Sequence, residues 1–389
     1  MKPLYLNPGR EKRILQGHRW VFSNEIADPL SQYEPGGWVE VFSHKGKTLG
    51  HGYINPRSLI AVRLVSGPGP EPDAHFITER MAKAYEERRT LLYPGAQCCR
   101  VVFGESDGLP GLVVDRYGDM VVYQINTVGM ARLEPKILEA IHDVLQPKTI
   151  VFRHDSAVRL LEGLPLTKGV VHGKVPQDHW VELDGIRYLI DPVEGQKTGM
   201  YLDQRDNRQA LKPFVQGKKV LDLFCYNGAW SLMAAAGGAA GILAIDESNM
   251  AIEQGKGNAQ ENGLASICRF ETREVFQALK ELPKDTFDVV IADPPAFVKS
   301  KSALLEAKKG YTDLNRRALL ALKRGGLLIS CSCSYHLDES SFREVLLKAG
   351  QASGRELRLL EARGQAKDHP PLLAMPETRY LKCFFLQAF

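Results

Sequence analysis

Two thiols, Cys331 and Cys333, stand two residues apart in the run Leu327-Leu328-Ile329-Ser330-Cys331-Ser332-Cys333-Ser334. A thiolate can add to an electrophilic carbon, and a cysteine delivered to the end of a strand is placed to do so. If the strand continues, both sulfurs lie on one face, so periodicity does not choose between them. A cysteine on a buried strand is otherwise inert packing. Four further segments close short apolar runs: Asp222–Gly228, Asp246-Glu247-Ser248, Glu274-Val275-Phe276 and Asp293-Pro294-Pro295-Ala296-Phe297. An acid at the end of a second strand, as Asp246 is expected to be, can grip the hydroxyls of a ribose. The paired prolines stiffen their loop and leave carbonyls turned outward. Taken singly, each has an ordinary use: Asp222 as a helix cap, Asp246 as a solvated turn acid, Glu274 as a helix start.

The elements that must position these groups are legible around Val220-Leu221-Asp222-Leu223-Phe224-Cys225-Tyr226-Asn227-Gly228-Ala229-Trp230. Val220, Leu221 and Leu223 predict a strand buried on both faces, Asn227-Gly228 a sharp turn, and residues 229–236 a helix. Such a turn presents backbone N–H groups and a helix N-terminus to a small ligand. A dinucleotide loop would need three glycines spaced G-x-G-x-x-G, and Gly228 alone fits, which disfavours NAD and FAD. Strands are expected at Val220–Leu223, Ile242–Asp246, Ile267–Phe270, Val289–Ala292, Leu327–Ser330 and Tyr380–Leu386, with helices between most of them. Alternating strands and helices specify a parallel α/β sheet of Rossmann-like type, whose carboxyl edge receives ligands.

Upstream the pattern differs. Short alternating strands such as Trp38–Phe42 and Leu59–Leu64 predict a small β-barrel over residues 1–68, ended by the linker Gly67-Pro68-Gly69-Pro70-Glu71-Pro72. Arg10, Lys12, Arg13, His18, Arg19 and Trp20 gather cations for phosphates and an aromatic face for a base, or else a solvated basic surface around a core tryptophan. A helix over 74–92, strands near 101–103, 111–115 and 120–125, a helix over 132–144 and a strand at 149–153 make a small α+β middle domain, residues 73–178. The hairpin Trp180–Ile190 opens the last domain, residues 179–389.

The 389 residues, 44% hydrophobic and 25% charged, suit a soluble chain of two or three domains. A formal charge of +4 permits an anionic partner without demanding one. Seven scattered cysteines lack disulfide or metal-ligand spacing, so no metal is expected and a reducing cytoplasm is the natural compartment. The N-terminus lacks a signal-peptide core, and no run is long enough to span a membrane.

In order, the four strand-end segments resemble the binding sites of class I S-adenosylmethionine methyltransferases. More closely, Gly195–Arg208, Asp222–Gly228, Asp293–Lys301 and Ser332-Cys333-Ser334 resemble the bacterial 23S rRNA (cytosine-5) methyltransferase family of the large ribosomal subunit. So do Pro8-Gly9-Arg10, Gly17–Phe22, similar to that family's PUA RNA-binding domain, and Asp107–Asp115 in its middle domain. The resemblance covers essentially the whole chain.

It implies a methyl transfer from S-adenosyl-L-methionine to C5 of a cytosine in RNA. C5 is a poor nucleophile, so the reaction needs a thiolate at C6, and the family's Ser-Cys-Ser nucleophile falls on Cys333 here. It implies cofactor contacts at Tyr201, Asp203, Asp222, Phe224, Asn227, Gly228, Asp246, Glu247, Ser248, Glu274, Val275 and Asp293, the first two on a lid. Asp293 also stands at the reacting groups; from position alone, Glu377 and His369 lie shortly before the last strand and could reach in as the base, Glu377 being the expected one, and Lys299 and Lys301 are expected phosphate contacts. A homodimer is implied as well. Two rivals stay open: guanine N-methylation through the Asp293 loop, and an RNA-binding module whose cofactor site has decayed.

Overall fold

The computed structural model describes residues 1–70, 72–73, 75–297 and 304–389, so Lys299 and Lys301 lie outside the described residues. The chain divides into two compact units that are interleaved along the sequence. The first contains Met1–Val181, Ile190–Leu202 and Lys367–Thr378; the second contains Glu182–Leu189, Asp203–Ala366 and Arg379–Phe389.

In the first unit, β1 (Lys2–Tyr5), β2 (Trp20–Val21), β3 (Gly37–Phe42), β4 (Thr48–Ile54) and β5 (Val62–Ser66) form a sheet of order β1-β3-β4-β5-β2. Its inward residues, among them Leu4, Val21, Val39, Val41, Ile54 and Val62, build one core. A second sheet holds β6 (Cys98–Phe103), β7 (Leu112–Tyr117), β8 (Met120–Ile125), β9 (Thr149–His154) and β10 (Thr167–His172) in the order β10-β9-β8-β7-β6. Only β8 and β9 run parallel there, and the helices Val128–Arg132 and Glu134–Leu145 make the crossover that parallel strands require. The helix expected over 74–92 is regular from Phe76 to Glu87 and then widens over Arg88–Leu92, where Arg88 is fully buried.

Two late segments join this unit through buried polar groups. Thr198 donates to Asp115 at 2.5 Å, and Asp115 also accepts from Arg100 at 2.7 Å. Asp368 accepts the Arg100 backbone N–H at 2.9 Å and pairs with His369 at 2.6 Å, and the neighbouring charges hold its carboxyl below the usual range. The middle module thus has a cluster of paired charges at its core.

The second unit begins in the hairpin of β11 (Trp180–Leu183) and β12 (Ile186–Leu189), whose turn Asp184-Gly185 has φ of 58° and 83°. Its sheet contains β13 (Lys219–Leu223), β14 (Gly241–Asp246), β15 (Cys268–Thr272), β16 (Phe287–Ala292), β17 (Leu322–Ser332), β18 (Leu357–Arg363) and β19 (Lys382–Ala388). The order is β15-β14-β13-β16-β17-β19-β18. The strands from β13 to β17 are parallel, and β19 runs antiparallel to β17 and β18. Chain order reverses beside β13, which has β14 on one side and β16 on the other, so loops leaving these strands part and open a crevice. Leu221, Leu223, Val290, Leu328, Tyr311 and Phe342 are in the core.

β18 was not expected from sequence. It is the outer strand, and its side chains, Leu359, Leu360 and Arg358 among them, are largely exposed, so neither an apolar run nor clean alternation marks it. Residues 203–211, in the stretch that the resemblance makes a lid, bury Arg205, Asn207 and Arg208. Arg205 there makes a bidentate contact with Asp184 across the second unit.

Candidate active site

The loop after β13 is bent by its backbone. Phe224 and Tyr226 have φ of 61° and 48°, and Gly228 has 80°. A side chain rarely adopts such angles, so two of the three positions are strained and must be held from outside. The Cys225 N–H donates to the Ile245 carbonyl at 3.1 Å, and the Tyr226 N–H donates to Asp246 at 2.9 Å. Asn258 donates to the Asn227 carbonyl at 3.0 Å. At Gly228 a Cβ would meet the Phe270 ring at 2.8 Å. Glycine is required there on both counts, and the helix Ala229–Ala236 starts from it.

Asp222 is fully buried on β13 and accepts the Ser231 hydroxyl at 2.6 Å. Burial, with Asp293 and Asp246 nearby, pushes its pKa up from 3.8 to about 7, and the Ser231 bond works against that rise. The three acids are thus close enough to repel. Asp246 also receives the Ser248 N–H at 2.9 Å, which leaves its carboxylate as the clamp of both neighbouring turns. Asp293 leaves β16 and accepts from Gln204 at 2.9 Å and from the Trp230 indole at 3.0 Å. Pro294 behind it is buried, Pro295 is exposed, and the Phe297 ring lies 4.6 Å from Tyr311.

Other expected contacts serve local structure. Glu274 caps the helix Val275–Glu281, accepting the N–H of Phe276 at 2.9 Å and of Gln277 at 2.6 Å. Ser248 caps Asn249–Glu261 by accepting from Ala251 at 3.3 Å. Val275 is buried, Glu247 exposed, and Phe224 packs against the sheet core. Asp203 is buried and accepts the Tyr380 hydroxyl at 2.7 Å. Tyr201 falls in the first unit, its hydroxyl on the Gln196 side chain and the Lys197 ammonium 4.3 Å over its ring.

The structure separates the two thiols. Cys331 is the residue of β17 opposite Cys383, wholly buried, and burial holds its thiol well above the ordinary range. β17 stops at Ser332, so Cys333 does not share its face; it lies in the turn beyond and is the one cysteine of seven that is not buried. Tyr311 anchors this turn. Its hydroxyl meets Ser332 at 3.1 Å and Ser334 at 3.0 Å, while the Ser334 N–H donates to the Ser332 hydroxyl at 3.3 Å.

In the first unit, Arg10 and Lys12 are exposed. Arg13 is bidentate to Glu25 at 2.9 Å and lies 4.9 Å over the Phe22 ring. His18 is buried, 3.4 Å from Glu377, which belongs to this unit. Trp20 is held by Glu105 at 2.8 Å with the Arg63 guanidinium 5.2 Å over its ring, so one face is already covered. His18, Arg19, Arg80, Lys83, Glu87 and Asp107 line a cavity of about 700 Å³. Burial lowers the pKa of Arg19.

Sequence reasoning gave no role to Trp230, Ser231, Asn258 and Tyr311, partners of the loops, nor to Gln204 within the Gly195–Arg208 stretch. Ser231 and Trp230 carried a signal, since they open the helix that follows the turn. The others come from distant segments.

Residues 137–363 match the family described as S-adenosylmethionine-dependent methyltransferase, and residues 4–67 match the PUA-like domain. A Streptococcus mutans structure described as a SAM-dependent methyltransferase superposes with a TM-score of 0.85 at 22% identity, covering 100% of both chains. The structure of SMU.776, complexed with SAH, superposes at 0.86 and 22% over the same full coverage. Fold and family model together define an S-adenosylmethionine-dependent methyltransferase joined to a PUA-like domain, and S-adenosylmethionine is its cofactor. Ribosomal RNA large subunit methyltransferase I of Aeromonas hydrophila is 39% identical over 392 residues, 99% of each chain. That of Escherichia coli O1:K1 is 36% identical over 387 residues, 98% of each. The chain belongs to the ribosomal RNA large subunit methyltransferase I family.

The β13 loop suits the cofactor. Asp222 Oδ1 and Asn227 Nδ2 are buried without a hydrogen-bond partner, one acceptor and one donor left over beside a strained glycine turn. A ligand that ends in an ammonium and a carboxylate supplies what both lack. Among the described residues no group of three or more His, Cys, Asp or Glu could hold a metal, and no helix is long and apolar enough to cross a membrane.

Asp222→Asn makes a test in the ligand-free protein. Below pH 3.8 folded and unfolded chains both hold the Asp222 proton; between 3.8 and about 7 only the unfolded chain ionises, and the folded state is disfavoured progressively, then constantly above. The variant keeps an acceptor for Ser231 and removes that charge. Its Tm is expected to match the parent near pH 4 and to exceed it by several degrees at pH 8, while its affinity for S-adenosylhomocysteine falls about tenfold. Thermal scans across pH and calorimetry read both; equal Tm differences at the two pH values would refute the account.

Proposed function

We propose that this protein methylates C5 of a cytosine in large-subunit rRNA through a covalent bond between Cys333 and C6. What supports the reading is the position of Cys333: it is the one cysteine of the seven that is not buried, half-exposed just past the carboxyl end of β17, next in the sheet to the strand that leads into Asp293.

Tyr201, Asp203, Asp222, Phe224, Asn227, Gly228, Asp246, Glu247, Ser248, Glu274 and Val275, with Asp293, would hold the cofactor, which supplies an electrophilic methyl group. The Cys333 thiolate adds to C6 of the ring, and the pair of electrons displaced onto C5 makes that carbon nucleophilic. C5 gains the methyl. A base then takes the C5 proton, the C5–C6 double bond re-forms, and the sulfur leaves as thiolate. Glu377 and Asp293 are the carboxylates assigned to that proton. Asp293 is fixed by Gln204 and Trp230.

The relatives' printed name supports rRNA as substrate, and the PUA-like domain supports RNA binding. Arg10, Lys12, Arg13, His18, Arg19 and Trp20 would meet RNA phosphates and bases, with Arg10 and Lys12 the exposed cations; Lys299 and Lys301 are assigned to phosphates as well. The three-part division at 1–68, 73–178 and 179–389, a cytoplasmic setting and a homodimer complete the reading.

The test is mass-spectrometric mapping of rRNA from cells with and without the protein. The expected result is one 23S cytosine that loses a C5 methyl when the protein is removed. A lost methyl on a guanine nitrogen would favour the non-covalent rival. An unchanged methylation map, with no S-adenosylhomocysteine binding by calorimetry, would favour a decayed module.

A further inference from the structure

Lys382 has no part in the chemistry above, yet it lies against the turn that carries it. It stands opposite Ser332 in the antiparallel register of β17 and β19 and is 5% exposed. Its ammonium donates to the Ser334 carbonyl at 2.7 Å and to the Tyr380 carbonyl at 2.8 Å. One bond therefore ties down the residue immediately after Cys333. A lysine ammonium has three donors, and carbonyls take two.

No described carboxylate lies within ion-pair distance of it. The titratable groups that face it are Cys333, Asp338, Glu339 and Arg379. Asp338 is occupied capping the helix Glu339–Ser353, accepting from Ser341 at 2.7 Å, and Glu339 is shared between Arg343 at 2.8 Å and Arg379 at 3.0 Å. Burial pulls the Lys382 pKa from 10.5 to about 8, and an ionised Cys333 would be the largest influence in the other direction. At neutral pH the ammonium form still prevails. A buried ammonium without a carboxylate is unfavourable unless another anion faces it.

We propose that Lys382 is a positioning residue for Cys333: its charge holds the sulfur as thiolate, and its bond to the Ser334 carbonyl, with the ammonium steadied by Tyr380, fixes the turn that aims it. The thiol proton passes to solvent, and Lys382 keeps its own. This rests on Cys333 being the nucleophile, but its test does not require turnover. Since the other six cysteines are buried, iodoacetamide reports on Cys333 selectively when labelled peptides are measured by mass spectrometry.

Labelling rates of the ligand-free protein are followed from roughly pH 6 to roughly pH 10. The parent is expected to reach half-maximal reactivity below the ordinary thiol value of about 8.5. Lys382→Met is expected to move that midpoint up by about one unit, slowing labelling at pH 7 about tenfold, and Lys382→Arg to move it much less. In turnover Lys382→Met lowers kcat with little change in KM for RNA. An ordinary midpoint in the parent overturns the proposal without any variant. So does a folded Lys382→Met protein whose curve matches the parent's, or a Lys382→Arg protein shifted as far as Lys382→Met. A Cys333→Ala enzyme that still turns over would instead defeat the nucleophile reading, and would leave the labelling shift standing.

Discussion

Cys333→Ala is expected to lose methyl transfer to RNA by at least about 10⁴-fold while binding S-adenosylhomocysteine within about twofold of the parent. The two readouts part because the sulfur belongs to the reaction and not to the cofactor's cradle. Without a thiolate at C6, C5 has no enamine-like character. The turn should survive the change, since Tyr311 grips Ser332 and Ser334 rather than the cysteine between them. Cys331→Ala is the matched control. That sulfur packs opposite Cys383 inside the sheet, so its removal is expected to cost about 1 kcal/mol of stability and little turnover. Single-turnover assays on unmodified rRNA with a radiolabelled methyl donor measure both. Near-parental transfer by Cys333→Ala would end the covalent account.

Gly228→Ala should act on the other half of the reaction. The new methyl group would sit at a φ of 80° and 2.8 Å from the Phe270 ring, so both backbone and neighbour must shift. Left-handed strain alone is worth about 1–2 kcal/mol, and the overlap adds to it. The loop already holds Phe224 and Tyr226 at positive φ, so it has little freedom to absorb the change locally. Affinity for S-adenosylhomocysteine is expected to fall about 30- to 100-fold, with a lowered Tm. Adding Phe270→Ala removes the overlap but not the φ, and should recover affinity only in part. Parental affinity in Gly228→Ala, read by calorimetry, would show that the loop does not receive the cofactor.

The parallel core of the second unit was legible because each strand is an apolar run ended by an acid or a turn: Val220–Leu223, Ile242–Asp246 and Val289–Ala292 carry their boundaries in their own residues. β18 was not, because an outer strand needs no apolar face, and its Leu-Arg-Leu-Leu-Glu-Ala-Arg string fits several states. The acids at strand ends were readable as a set, but their tasks were not. Glu274 and Ser248 read as ligand contacts in a string of letters, and the structure adds that each caps a helix, a task the letters do not show. Only register and strand length divide Cys331 from Cys333. Their spacing of two could not do so, since whether β17 runs one residue further depends on Tyr311 and Lys382, neither of them near in sequence.

The membership of Lys367–Thr378 in the first unit bears on biogenesis. Asp368 supplies a buried acceptor to Arg100, and that bond spans 268 positions of chain. During translation Arg100 therefore lacks this acceptor until the chain has grown past residue 368. An N-terminal fragment ending near residue 181 would emerge lacking a piece of its own interior, and should need protection by chaperones or stay insoluble.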